Sequence, residues 1–290
     1  MRRLLPLLVV AAAACSGGGA HVHTSATSLG QPDRPIAGPQ GAVPQFVIDC
    51  EFSHLAADDP IVYPGEPGAS HLHAFFGNTT TNADSTTAGL VGGPTTCDQS
   101  LDAAAYWVPT LLRDGEPLEP VKSTAYYRPG IDVQPSTVQA FPAGLVMIAG
   151  NAGAAEPQPV SIVAWSCGAG IERSVLPPTC TQDRQLRLLV TFPDCWDGKR
   201  LDSDDHHAHV AYSSKGQCPE SHPVPVPQLQ FSVEYPAWGD PQGLMLASGG
   251  LLSGHADFMN GWDQRRLETE VRLCLHREVV CGVASGRISG

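Results

Sequence analysis

The sequence predicts a mainly β protein: a single sandwich-like or open-barrel domain with long loops, a few short helices and disulfides. Three observations carry that expectation. Apolar runs are short and repeatedly cut by proline and glycine, of which the 290 residues contain 26 and 30; this is the punctuation of strands and turns. Residues 229–235, Leu-Gln-Phe-Ser-Val-Glu-Tyr, alternate apolar with polar side chains as a half-buried strand does. Nine cysteines behind an apolar leader point to a disulfide framework. Hydrophobic residues make up 42% of the chain and charged residues 16%, enough apolar material for a sizeable core, so wholesale disorder is excluded.

Residues 1–14 read as a signal peptide, with Arg2 and Arg3 as the positive end, an apolar stretch from Leu4 to Val10 and small residues from Ala11 to Ala14. The stretch is too short to span a bilayer as a helix. Cys15 follows Ala12-Ala13-Ala14 and precedes Ser16-Gly17-Gly18-Gly19, an arrangement similar to the lipobox of bacterial lipoproteins with Ala where Leu is usual. Lipidation of Cys15 is the expectation, and ordinary cleavage after Ala14 or Ala20 is the competing one. Cleavage after Ala20 would free the amino group of His21 and allow a copper brace with His23. Residues 15–44 hold almost no large apolar side chain, cannot repay the entropy of ordering, and read as a flexible tether.

Residues 45–290 form the β-rich domain. The runs 106–109, 160–165, 186–192 and 229–235 read as strands bounded by turn residues. Two stretches favour helix: residues 259–275, where Trp262, Leu267, Val271 and Leu275 recur at roughly helical spacing, and residues 98–105. Setting Cys15 aside leaves Cys50, Cys97, Cys167, Cys180, Cys195, Cys218, Cys274 and Cys281, an even number in an exported chain. No C-x-x-C pair is present, which argues against a zinc ribbon or a thioredoxin-like centre. Pairing of sequence neighbours is expected, with Cys274 and Cys281 the firmest pair. The net charge of -12 argues against a nucleic-acid partner, because binding a phosphate backbone needs a basic face that this composition does not supply; a membrane is met only through the lipid anchor.

The eleven histidines are clustered. Ser70-His71-Leu72-His73 spaces two imidazoles so that a strand would project both from one face. Asp204-Asp205-His206-His207-Ala208-His209 adds three more, and either His207 with His209 or His206 with His209 could converge. His255-Ala256-Asp257 supplies one imidazole with a carboxylate two residues on. Neutral imidazole is the commonest transition-metal ligand, so three or four of these groups meeting would suit Zn or Cu. The alternative use of the same residues is a buried hydrogen-bond network that fixes long loops. His54, His222 and His276 read as structural. Asp58-Asp59-Pro60, Asp194, Asp197 and Asp202 stand in turn-like surroundings. There is no G-x-S-x-G elbow, phosphate loop or H-E-x-x-H helix.

Taken together, the motifs resemble one family. Cys50 to Gly77 with Asp59-Pro60-Ile61-Val62 and Ser70-His71-Leu72-His73, Ala105-Tyr106-Trp107-Val108-Pro109, Phe192-Pro193-Asp194-Cys195-Trp196-Asp197-Gly198, His209-Val210-Ala211-Tyr212, Cys218-Pro219, and His255-Ala256-Asp257-Phe258-Met259-Asn260-Gly261-Trp262 are similar to the DUF1996 family of secreted fungal and bacterial proteins. The resemblance covers residues 46–281. In fungal members the domain often stands beside WSC modules, which implies an envelope or extracellular polysaccharide setting. It also implies that His71, His73, His206, His209, His255 and Asp257 matter together, and favours His206 with His209 over the strand-face pair. The resulting expectation is an extracytoplasmic, lipid-anchored domain in which His71, His73, His206, His209 and His255 supply the metal ligands. Asp205 or Asp257 would orient them or act as general base, and the target would be an envelope or extracellular glycan. A non-catalytic carbohydrate-binding or cell-surface module is the alternative.

Overall fold

The computed structural model describes residues 43–169 and 172–282. The predicted signal peptide, Cys15, the His21–His23 pair and the tether up to residue 42 lie outside the described residues. The fold is mainly β, with four disulfides and few short helices. Ten strands form the main sheet: β1 (Gln45–Ala56), β2 (His73–Gly77), β3 (Ala105–Pro109), β4 (Lys122–Arg128), β5 (Val146–Gly150), β6 (Val163–Cys167), β7 (Leu186–Thr191), β8 (Gln228–Glu234), β9 (His255–Met259) and β10 (Val280–Cys281). Their order is β5-β9-β3-β2-β1-β4-β8-β7-β6, antiparallel throughout, with β10 pairing parallel to the start of β1. β5 at one end approaches β7 near the other, so the sheet is nearly closed and barrel-like.

Alternation of side chains divides the sheet into two faces. The inner face gathers Phe76, Tyr106, Tyr127, Phe231 and Phe258 into the principal core, joined by Phe141 and Trp262 from the connections. On β5, β9, β3 and β2 the outer face carries a second, smaller core of Phe75, Trp107, Ile148 and Met259, covered by Ile61 and Leu90 from the loops. Every residue of β2, β3 and β9 is therefore buried. Strands buried on both faces lose the alternation of a half-exposed strand, which is why Ala105 to Pro109 reads as a continuous apolar run.

The strands at 106–109, 186–192 and 229–235 stand where the sequence places them, and the run at 160–165 begins only at Val163. The helical expectation for residues 259–275 is corrected: Met259 closes β9, and helix begins at Gln264. Asp263 caps it by accepting from the Arg266 amide at 2.9 Å, and Gln264–Glu270 runs into a π-helical turn, Val271–Leu275. Residues 98–105 are not helical. There the Asp102 carboxylate takes the Ala104 amide at 3.1 Å and the Tyr106 hydroxyl at 2.7 Å, turning the chain into β3. The disulfides join sequence neighbours, Cys50–Cys97, Cys167–Cys180, Cys195–Cys218 and Cys274–Cys281. Among the described residues no helix is long and apolar enough to cross a membrane.

Candidate metal centre

β2 and β9 both flank β3, and each begins with a histidine. His73 pairs with Pro109 at the end of β3, and the register of β9, Asp257 against Trp107, puts His255 on the other side of that same proline. The two imidazoles thus close over one end of β3 on the outer face. His71, two residues before β2, completes the group. Ring centroids are 4.2 Å apart for His71 and His73, 5.0 Å for His71 and His255 and 5.8 Å for His73 and His255. One ring nitrogen from each lies within 4.8 Å of the others.

Hydrogen bonds decide which nitrogens are free. His73 Nδ1 donates to the Asp58 carbonyl at 2.9 Å and His255 Nδ1 to the Ser253 carbonyl at 2.9 Å. A carbonyl only accepts, so these contacts put the proton of each neutral ring on Nδ1 and leave a lone pair on Nε2. The Nε2 atoms of His71 and His73 are buried and have no hydrogen-bond partner. Burial, with the charges of His71 and His255 after it, holds His73 well below the usual imidazole range; burial lowers His255 to about 4 and lowers His71 as well. The group is neutral at neutral pH. Backbone carbonyls orienting Nδ1 while Nε2 converges is the arrangement that metal-bound histidine adopts.

Two carboxyls adjoin it. Asp257, two residues along β9 from His255, has Oδ2 3.9 Å from His255 Nε2 and no hydrogen-bond partner for that oxygen. Burial, then the charge of Asp59, raises its carboxyl well above the ordinary range. Asp59, in the loop between β1 and β2, accepts from the Ile61 and Val62 amides at 3.0 Å each, and burial raises it too. The Trp107 indole nitrogen, on the residue directly across from Asp257, is likewise buried without a partner. Buried polar groups are almost always paired, so four orphaned atoms on one patch of sheet, His71 Nε2, His73 Nε2, Asp257 Oδ2 and Trp107 Nε1, mark a place built for something polar. Three neutral imidazoles that converge through ring nitrogens fit Zn or Cu by donor chemistry.

The remaining predicted residues are not among the three converging imidazoles. His209 is buried but both ring nitrogens are used, Nδ1 with Ser203 Oγ at 2.9 Å and Nε2 donating to the Val146 carbonyl at 2.7 Å. His206, at a backbone φ of 57°, turns its Nδ1 to Asp202 at 2.9 Å, and its charge is felt by Asp59. Asp205 is exposed and accepts from Ser203 Oγ and the His207 and Ala208 amides. The segment 202–209 is bonded largely to itself, and His209 ties it to the neighbouring strand β5. His54, His222 and His276 bond to the Thr81, Ala208 and Val138 carbonyls, as structural residues do. Asp59 and Trp107 were not distinguishable in sequence, since each shows its role only through what the long β1–β2 loop brings over the sheet.

A family model described as "Domain of unknown function (DUF1996)" matches residues 59–262. That span runs from Asp59 to Trp262 and includes His71, His73, His255 and Asp257. No curated protein and no solved structure matches the chain.

Proposed function

Because the chain belongs to the DUF1996 family, a domain of unknown function, its chemistry has to be read from its own residues, and we propose that it is an exported metalloprotein acting on an envelope or extracellular glycan. His71, His73 and His255 hold one zinc or copper ion through Nε2. The observation that carries this reading is the pair of buried, unpartnered Nε2 atoms on His71 and His73 beside an oriented His255. Four disulfides suit an oxidising compartment, and residues 1–15 suit export with a lipid anchor at Cys15.

Bound there, zinc or copper supplies Lewis acidity, and copper adds a redox couple. The chain's own groups do the rest. The Asp58 and Ser253 carbonyls hold the His73 and His255 protons on Nδ1 and so fix both rings. Asp257, whose Oδ2 lies 3.9 Å from His255 Nε2 without a hydrogen-bond partner, stands where it can take up or give a proton beside the ligands, and the charge of Asp59 acts on it. Phe75, Ile148 and Met259 keep the floor of the site apolar and dry. His71 is the most exposed of the three ligands, so a substrate approaches from its side.

The test is elemental analysis of the mature protein purified without a His tag. One equivalent of Zn or Cu is expected, lost in a His71→Ala, His73→Ala variant that keeps its far-ultraviolet circular dichroism. A protein that stays metal-free after reconstitution with both ions would overturn the reading. Glycan turnover is then assayed with the loaded and the stripped protein.

A further inference from the structure

On the other side of β1 from the histidine cluster, the outer face of β4, β8 and β7 carries a second polar surface. Its outward residues on β8, Gln228, Gln230 and Ser232, are buried although polar. Above them lies a cleft of about 450 Å³ lined by Tyr126, Arg128, Arg173, Leu189, Gln230 and Ser232, within the roughly 300–1,000 Å³ of small-ligand pockets.

Gln230 stands at its centre, opposite Tyr126 on one side and Thr191 on the other. Its Oε1 accepts from Arg128 Nη2 at 2.6 Å and from Arg173 Nη2 at 3.1 Å. Arg173 is steadied by a second bond from Nη1 to the Val160 carbonyl at 3.2 Å. Among the described residues neither guanidinium has a carboxylate within ion-pair distance, whereas the nearby Arg187 is paired with Glu234. Two cations are therefore held against one neutral amide oxygen in a chain whose net charge is -12. Burial and then the charge of Arg173 lower the affinity of Arg128 for its proton, and burial does the same to Arg173. Like charges brought together and partly desolvated are costly unless an anion joins them.

We infer that this cleft is an oxyanion site in which Arg128 and Arg173 clamp the carboxylate, sulfate or phosphate group of a small ligand or sugar unit, with Tyr126 and Leu189 as apolar walls. The planar forks of two arginines match such groups with paired hydrogen bonds, which lysines would not do. Ser232 and Gln230 remain to meet hydroxyls, and an aromatic face at Tyr126 suits the flat side of a sugar ring. The site shares no residue with the histidine centre.

The experiment is isothermal titration calorimetry of the mature protein with four probes: inorganic sulfate, inorganic phosphate, digalacturonate and a neutral disaccharide. Binding of at least one anionic probe is expected, with an affinity about tenfold or more above that of the neutral one and falling as salt is added. Digalacturonate bound more tightly than either inorganic ion assigns the site to an acidic glycan; equal affinities assign it to a free oxyanion. Arg128→Gln with Arg173→Gln should remove the binding. Gln230→Glu is the sharper variant, since it supplies the missing carboxylate in nearly the same shape: it should raise the Tm and abolish anion binding. Undiminished affinity in Gln230→Glu, or no heat with any anionic probe, would overturn the inference. Protein stripped of metal by chelation should bind the anion unchanged, which separates this site from the proposed metal centre.

Discussion

A buried imidazole has two nitrogens to satisfy, and what each of them meets separates a ligand from a strut. His209 spends both, on Ser203 and on the Val146 carbonyl; His73 spends one and leaves Nε2 bare. His209→Ala should therefore leave the metal content unchanged and lower stability by about 1–3 kcal/mol, the cost of orphaning buried partners, read by urea unfolding. Metal lost from His209→Ala in a folded protein would return that residue to the ligand set. In the sequence the two types were indistinguishable, because His-x-His spacing records which imidazoles can be neighbours and not what their second nitrogens touch. Asp102 carries a different residue-level prediction. Burial raises its carboxyl to about 7, against an ordinary 3.8, even though Tyr106 and Ala104 donate to it. The folded protein thus holds a proton that the unfolded chain releases, so this contribution to stability is complete below about pH 3.8 and is lost as pH rises toward 7. Asp102→Asn should remove that slope. Unfolding curves of the variant and the parent that run parallel between pH 4 and 7 would contradict it.

At the scale of elements, the centre depends on how β9 is seated beside β5. Gly150 ends β5 at φ +82°, and a Cβ there would lie 2.5 Å from the Gly254 carbonyl oxygen and 2.9 Å from the His255 Cα. Gly150→Ala must push back the start of β9, so it should cost roughly 2 kcal/mol or more and reduce bound metal. Gly115, at φ +89° with nothing within 4 Å of an added Cβ, is the control: its alanine variant should cost about 1 kcal/mol from backbone strain alone and keep its metal. Equal losses in the two variants would mean that strain, and not displacement of His255, sets the effect. Much of the strand layout was legible, since 106–109, 186–192 and 229–235 declare themselves by apolar runs and turn residues. The start of the last helix was not, because Met259 lies on β9 while sharing its neighbours' apolar character. Nor was the covering of β8 legible: alternation predicts a wet outer face, yet Gln230 is buried beneath Arg173, and period two says which residues share a face without saying what lies over it.

For the molecule as a whole, a nearly closed sheet carries both proposed sites on its outer surface, where only loops can cover them. The cover over the histidine centre is tied down covalently. Cys50 on β1 is joined to Cys97, enclosing a span of 47 residues that contains Asp58, Asp59, His71, His73 and all of β2. Cys274–Cys281 spans only 7 and lies beyond the centre in sequence. Chain entropy removed from the unfolded state grows with the closed span, to about 4 kcal/mol for the first bridge against about 2 for the second. Replacing Cys50 and Cys97 by alanine should therefore lower stability about twice as much as replacing Cys274 and Cys281, measured by denaturant unfolding. The difference should also reach the centre, because the freed loop would have to order again each time metal binds. Added zinc should then raise the Tm of the Cys50→Ala, Cys97→Ala protein less than that of the parent, since stabilisation by a ligand falls as its dissociation constant rises. In the Cys274→Ala, Cys281→Ala protein the zinc-dependent rise should match the parent's. Equal zinc-dependent rises in all three proteins would show that the sheet alone preorganises the three histidines and that the bridge serves only the stability of the fold.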